Sequence, residues 1–223
     1  LFSPPLLDNE FLWDKILDDR HSESLKQRLA REAALLLYTS QEKEYKQAKQ
    51  RAAHTLAARV LPSNMEVAEE LDRIADEMEG SSRAERILQM RKEALIIMDV
   101  LKDFHPRLIG SVWRGTAHKS SDIDIVTFAS EPAKVLSKLQ TSGFNPVKTE
   151  WQSATKRGGE EKTFHIYLAL PTEHEAEVVV RGLERVNEKE KCEIYGDTAT
   201  GLNYIRLRKV LDENPLQKFV PKT

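Results

Sequence analysis

Two aspartates stand two residues apart inside an apolar run, Asp122-Ile123-Asp124-Ile125-Val126. The β-branched neighbours favour a strand. Residues i and i+2 of a strand point to the same face, so Asp122 and Asp124 project together, with Cα atoms about 7 Å apart. Ile123 and Ile125 point the other way. The segment therefore reads as a strand with one acidic and one apolar face. Ten residues separate Asp122 from a preceding Gly-Ser pair, Gly110-Ser111, at the end of the short apolar stretch Arg107–Gly110. Two carboxylates held side by side repel each other and call for a cation. Hard oxygen ligands beside an anion-accepting turn suit Mg²⁺ carrying phosphate.

The full stretch is Leu108-Ile-Gly-Ser-Val-Trp-Arg-Gly-Thr-Ala-His-Lys-Ser-Ser-Asp-Ile-Asp-Ile-Val126. It resembles the nucleotidyltransferase superfamily, which includes DNA polymerase beta, CCA-adding enzymes and the minimal nucleotidyltransferases. The pattern there is an apolar residue, Gly-Ser, about ten residues, then Asp-x-Asp with apolar flanks. The resemblance covers roughly Pro106–Arg181. It implies a small mixed sheet flanked by helices, an NTP substrate and two Mg²⁺ ions held by three carboxylates. By that resemblance Asp122 and Asp124 are catalytic metal ligands. A third acid in a late strand completes the metal that activates the acceptor hydroxyl. Glu177, just before Val178-Val179-Val180, matches it best. Glu175, two residues earlier on the same face, is the second candidate. The family more often has Asp there.

Gly110 and Ser111 are expected to cradle the triphosphate: glycine allows close backbone approach, and Ser111 offers a hydroxyl and an amide. Arg114 and Lys119, in the same loop, read either as phosphate contacts or as surface charges. Arg181 is a further phosphate candidate. Trp113 either stacks on a base or packs. His165, in Phe164-His165-Ile166-Tyr167, reads as an ordinary strand histidine, and His118 and His174 as loop residues.

The first hundred residues read as helices. Phe11–Leu17 is a short apolar turn. Ser22–Tyr38 has helical spacing at Leu25, Leu29, Ala33 and Leu36. Thr39 with Glu42 reads as a capping box opening a helix to about Val60, which Pro62 ends. Ser63 with Glu66 is a second box, for Met65–Glu79, stopped by Gly80. Ser82 with Glu85 is a third, for Arg83–Phe104. Beyond Arg107 the signal turns to strands: Asp122–Phe128, then Phe144–Trp151 and Thr163–Leu170 as a hairpin across Lys156-Arg157-Gly158-Gly159, then Glu175–Arg181. A helix from Pro132 to about Thr141, with Gly143 following it, and a last helix, Thr198–Asp212, complete the pattern. The tail Pro215–Thr223 is expected to be mobile. The fold class is α+β: a helical N-terminal region, residues 1–82, then a catalytic domain, residues 83–223.

Charged residues are 31% of the chain but nearly balanced, with net charge −2, so there is no global argument for a polyanionic partner. The single cysteine, Cys192, allows no intrachain disulfide and fits a reducing compartment. No apolar run approaches a membrane span, and no signal-peptide pattern is seen. Leu1 in place of methionine reads as a trimmed start. A soluble cytoplasmic protein is expected, with no membrane partner. Lys43, Lys46, Lys49, Gln50 and His54 form a basic side on one helix, facing an acid-rich next helix. That pairing reads as surface ion pairs or as an RNA-guiding face, and the helical half also offers a homodimer surface.

The leading functional expectation is transfer of NMP, most simply AMP from ATP, to an RNA 3′ end or a protein side chain. A small-molecule acceptor is a third option. The rival is a nucleotide- or RNA-binding module with a degenerate site, and the discriminator is whether Glu177 or Glu175 reaches Asp122 and Asp124.

Overall fold

A computed structural model describes residues 25–156 and 159–221. The expected turn at Phe11–Leu17 lies outside them. The chain divides into two compact units, Leu1–Ile74 and Ala75–Thr223.

The described residues of the first unit are mainly helical. Residues 25–38 form α1, and α2 runs Tyr45–Thr55. Leu29, Ala33, Ala48, Ala52, Val67 and Ile74 are fully buried there. The capping box expected at Thr39 does not form, because the Thr39 hydroxyl donates to the Leu35 carbonyl at 2.7 Å. It closes the end of α1 instead of opening α2, and α2 is correspondingly shorter than expected. The box at Ser63 does form: the Ser63 amide donates to Glu66 Oε2 at 2.6 Å and the Glu66 amide to Ser63 Oγ at 3.1 Å. It opens α3, Asn64–Glu79, and holds the Glu66 carboxyl below its usual range.

Gly80, with φ +54°, ends α3 and precedes α4, Ser81–Val100. The third box fails for the same reason as the first. The Ser82 hydroxyl donates back to Glu79 O at 2.7 Å. A 3₁₀ turn, Lys102–Phe104, follows α4. Then come β1 (Arg107–Leu108), α5 (Gly110–Arg114), β2 (Ile123–Phe128), α6 (Pro132–Thr141), β3 (Pro146–Lys156), β4 (Gly159–Ala169), β5 (Glu175–Arg181), β6 (Leu202–Asn203) and α7 (Tyr204–Glu213). The architecture is α+β as expected. The hairpin strands run further than their alternation suggested, to the Lys156↔Gly159 pair. The last helix starts later, because Leu202 and Asn203 join the sheet and Asn203 Oδ1 then caps α7 at the Arg206 amide.

The sheet order is β3-β4-β5-β2-β1-β6. Only β2 and β5 run parallel, and their register sets Asp124 beside Glu177. Ile123, Ile125, Ala176, Val178, Val180, Ile166 and Leu168 alternate to the opposite face. There they join Met90, Ala94, Ile97 and Met98 of α4 and Val135 and Leu139 of α6 in one buried core. The sheet thus puts its apolar half against helices and its acidic half on the other side. No described helix is long and apolar enough to cross a membrane.

Candidate active site

Asp124 stands near the start of β2, and its carbonyl accepts from the Ile109 amide at 2.9 Å. That bond draws the Gly110 turn against the strand. Gly110 has φ +69°, and a Cβ there would lie 2.0 Å from Asp124 Oδ2. Only a glycine leaves the carboxylate its place. Asp122, at the rim just before β2, and Glu177, from β5, complete a group. Their carboxylate oxygens, with that of Asp124, all lie within 4.8 Å of one another. Glu175, the second candidate, is exposed at the start of β5 and is not in that group. It adds repulsion at Asp122.

Electrostatics follow from this crowding. Burial holds the Asp124 carboxyl well above its usual range, and the neighbouring Asp122 and Glu177 push it further. Desolvation by the surrounding protein also raises Asp122, with Glu177 and Glu175 adding to it. Three hard oxygen donors that repel one another, beside a glycine cradle a Cβ would fill, fit a divalent cation such as Mg²⁺. The residues present therefore suit the metal the resemblance implies.

The loop between the Gly-Ser turn and Asp122 is held from several sides. The Thr116 amide donates to Ser111 O at 3.0 Å and the Ser121 amide to His118 O at 2.9 Å. Arg83 Nε donates to Ala117 O at 2.9 Å, and the Lys119 amide donates to Glu79 Oε1 at 2.9 Å. Burial pushes His118 below its usual pKa. From behind, the fully buried Arg91 of α4 donates to the carbonyls of Val112 and Trp113 at the end of α5. It also donates to Pro215 O at 2.6 Å and Gln217 O at 2.8 Å. Burial lowers its pKa to about 10. These bonds overturn the expectation of a mobile tail: residues 215–219 are strapped onto the back of α5. Phe219 completes the strap, its amide donating to Arg114 O.

The other expected site residues divide. Ser111 is half-buried on α5, next to Gly110, and Lys119 is exposed in the loop. Arg114 is turned elsewhere. It forms a two-point pair with Asp197 at 2.8 and 2.6 Å, donates to Phe219 O, and stacks over Trp113 and Tyr195. Trp113 is 5% exposed, which is a packing position. Arg181 pairs with Glu190 at 2.8 Å at the far end of β5. His165 is the residue that sequence reasoning passed over: its Nδ1 lies 2.6 Å from Glu177 Oε1. The alternation Thr163-x-His165-x-Tyr167 marked one strand face, but only the β4–β5 register shows that Glu177 shares it.

A family model described as a nucleotidyltransferase domain matches residues 99–213, just over half of the chain. No curated protein matches. Solved structures that resemble the chain include Cid1 in complex with the UTP analog UMPNPP, at 17% identity, covering 50% of this chain and 36% of that one, with a TM-score of 0.32. A GLD-2/RNP-8 complex matches at 18% identity, with 54% and 40% coverage and a TM-score of 0.33. A cytoplasmic RNA terminal U-transferase matches at 18%, with 52% and 34% coverage and a TM-score of 0.29. The chain spans 34–40% of the length of these structures.

Proposed function

The chain belongs to the nucleotidyltransferase domain family, and we propose that it transfers a nucleoside monophosphate, AMP in the first instance, from an NTP to the 3′ hydroxyl of an RNA. The observation that carries the reading is the convergence of Asp122, Asp124 and Glu177 within 4.8 Å, against a glycine turn that no other residue can form without displacing Asp124. The third carboxylate supports a catalytic site over a degenerate one. The choice of an RNA end rests on the resemblance of Gly110–Thr116 and Glu177–Val180 to archaeal CCA-adding enzymes, and AMP is taken as the simplest nucleotide. The catalytic domain is taken as residues 83–223.

In the reaction, the acceptor oxygen bonds to the α-phosphorus. The bond from that phosphorus to the α,β-bridging oxygen breaks, and pyrophosphate leaves with the electron pair. A bound pair of Mg²⁺ ions would neutralise the triphosphate and polarise the attacking hydroxyl. Asp122 and Asp124 hold the cation site from β2 and its rim. Gly110 lets the triphosphate come close to the backbone, and Ser111 contributes its amide and hydroxyl. Lys119, exposed in the loop between Ser111 and Asp122, meets the outer phosphates. Glu177 closes the acceptor side and draws the hydroxyl proton toward its carboxylate.

The test is incubation with Mg²⁺ and each α-³²P-labelled NTP in turn, with RNA, a protein extract or no acceptor, and Asp124→Asn as control. Label from ATP should enter RNA and vanish in the variant. Label in protein would replace the acceptor, and label from another NTP would replace the base. Intact NTP binding with no incorporation into any acceptor would favour the degenerate binding module.

A further inference from the structure

The third carboxylate here is a glutamate, and that raises a mechanical problem. Glutamate has one more side-chain torsion than aspartate, so it must be ordered to serve as a metal ligand, and that ordering costs conformational entropy. Glu177 stands opposite Tyr167 in the β4–β5 ladder, with His165 as its diagonal neighbour on the same face. His165 is 9% exposed. Its Nδ1 is 2.6 Å from Glu177 Oε1, and its Nε2 is 2.7 Å from Thr163 Oγ1. Both ring nitrogens are therefore engaged. With Glu177 ionised, Nδ1 carries the hydrogen and donates to Oε1, while the Thr163 hydroxyl donates into Nε2. The ring lies beside that of Tyr167, with centroids 6.4 Å apart and planes 24° from parallel. Tyr167 is itself pinned by its hydroxyl, which donates to Glu150 Oε1 at 2.8 Å.

We propose that His165 is a positioning residue for Glu177. Held between Thr163 and Tyr167, its Nδ1–H fixes one carboxylate oxygen so that the other faces Asp122 and Asp124. The proposal rests on the reading of Glu177 as the third metal ligand. Partners that orient a ligating carboxylate typically contribute ~10–100-fold in metal affinity or activity. An asparagine at 165 returns an N–H at nearly the place of Nδ1, since both hang from Cγ. A glutamine carries its N–H one carbon further, nearer Nε2. A phenylalanine keeps the ring against Tyr167 and removes both nitrogens.

The experiment is Mn²⁺ titration of the full chain by calorimetry, with a non-hydrolysable NTP analogue, alongside thermal midpoints. His165→Gln and His165→Phe should weaken Mn²⁺ binding ~10–100-fold while the metal-free midpoint barely moves, and His165→Asn should stay near wild type. In a Glu177→Ala background, His165→Phe should add no further loss, because the two act as one unit. Unchanged Mn²⁺ affinity in His165→Phe, or an Asn variant as weak as the Phe variant, overturns the positioning role. Asp124→Asn separates the two levels. If it binds Mn²⁺ like wild type, the metal-site reading itself fails. If it loses the metal while His165→Phe does not, only the positioning role falls.

Discussion

Replacing Gly110 with alanine should remove activity for a reason that can be worked from distances. The new Cβ would stand 2.0 Å from Asp124 Oδ2, 2.9 Å from Cγ and 3.1 Å from Cβ, where ordinary contact begins at 3.4 Å. The oxygen must therefore retreat by 3.4 − 2.0 = 1.4 Å. A spin of the carboxylate plane is not enough, because Cγ is also too close. Metal–ligand distances tolerate only about 0.2 Å, so a shift of this size takes Asp124 out of the coordination sphere. The backbone adds its own cost. At φ +69° a residue with a Cβ is disfavoured by about 1–2 kcal/mol, or a thermal midpoint lowered by roughly 2–8 °C in a chain of this size. Gly143→Ala is the matched control: φ is +91°, but nothing lies within 4 Å of its Cβ. Calorimetric Mn²⁺ binding, transfer assays and thermal melts on both variants give the comparison. Both should lose a few degrees, and only Gly110→Ala should lose metal and turnover. A Gly110→Ala protein that binds Mn²⁺ and turns over like wild type would refute the reasoning.

Asp122→Asn or Asp124→Asn should abolish transfer while leaving the metal-free fold as stable or more so, since each removes one of several repelling carboxylates. The pH dependence follows from the same shifts. Both aspartates titrate higher in the fold than their ordinary 3.8, so the folded state holds protons the unfolded state has released. Their destabilising effect is complete only above the raised folded range and is relieved as pH falls through that range toward 3.8. The difference in melting between wild type and Asp124→Asn should shrink over that window, and Mg²⁺ at neutral pH should likewise close it. Arg91→Met leaves the carbonyls at 112, 113, 215 and 217 without this donor, the two buried losses, at 112 and 113, costing ~1–3 kcal/mol each. Limited proteolysis should then cut near residues 215–219 before the rest of the chain. Lys119→Ala should raise the NTP KM with little change in kcat, whereas Arg114→Ala should lower the thermal midpoint, because Arg114 is committed to Asp197.

What could be read in advance depended on how local its cause was. The spacing of Asp122 and Asp124 and the apolar alternation of Glu175–Arg181 are properties of single strands, and both elements appear where the pattern put them. The Ser63–Glu66 box formed because both partners lie within one turn. The boxes at Thr39 and Ser82 did not, because each hydroxyl found a carbonyl on the helix before it, a competition spacing does not reveal. The strapped tail was hidden for a different reason: Arg91 and Pro215 are 124 residues apart. Arg91 falls on the apolar stripe of α4, four residues after Ile87 and three before Ala94, and that placement was an available signal that something polar had to reach it. The Glu177–His165 contact needed the strand register. The separation of Arg114 from the acidic group, which its nearness in sequence to Ser111 concealed, depends on a partner 83 residues away, Asp197.

The central claim is that Asp122, Asp124 and Glu177 form one divalent-cation site that receives an NTP. The most direct measurement is electron paramagnetic resonance of Mn²⁺ titrated into the protein with a non-hydrolysable ATP analogue, to count bound ions. The wild type should take up two ions per chain, Glu177→Gln should lose one, and Asp124→Asn should hold neither in place. Identical uptake by the wild type and Asp124→Asn would contradict the account.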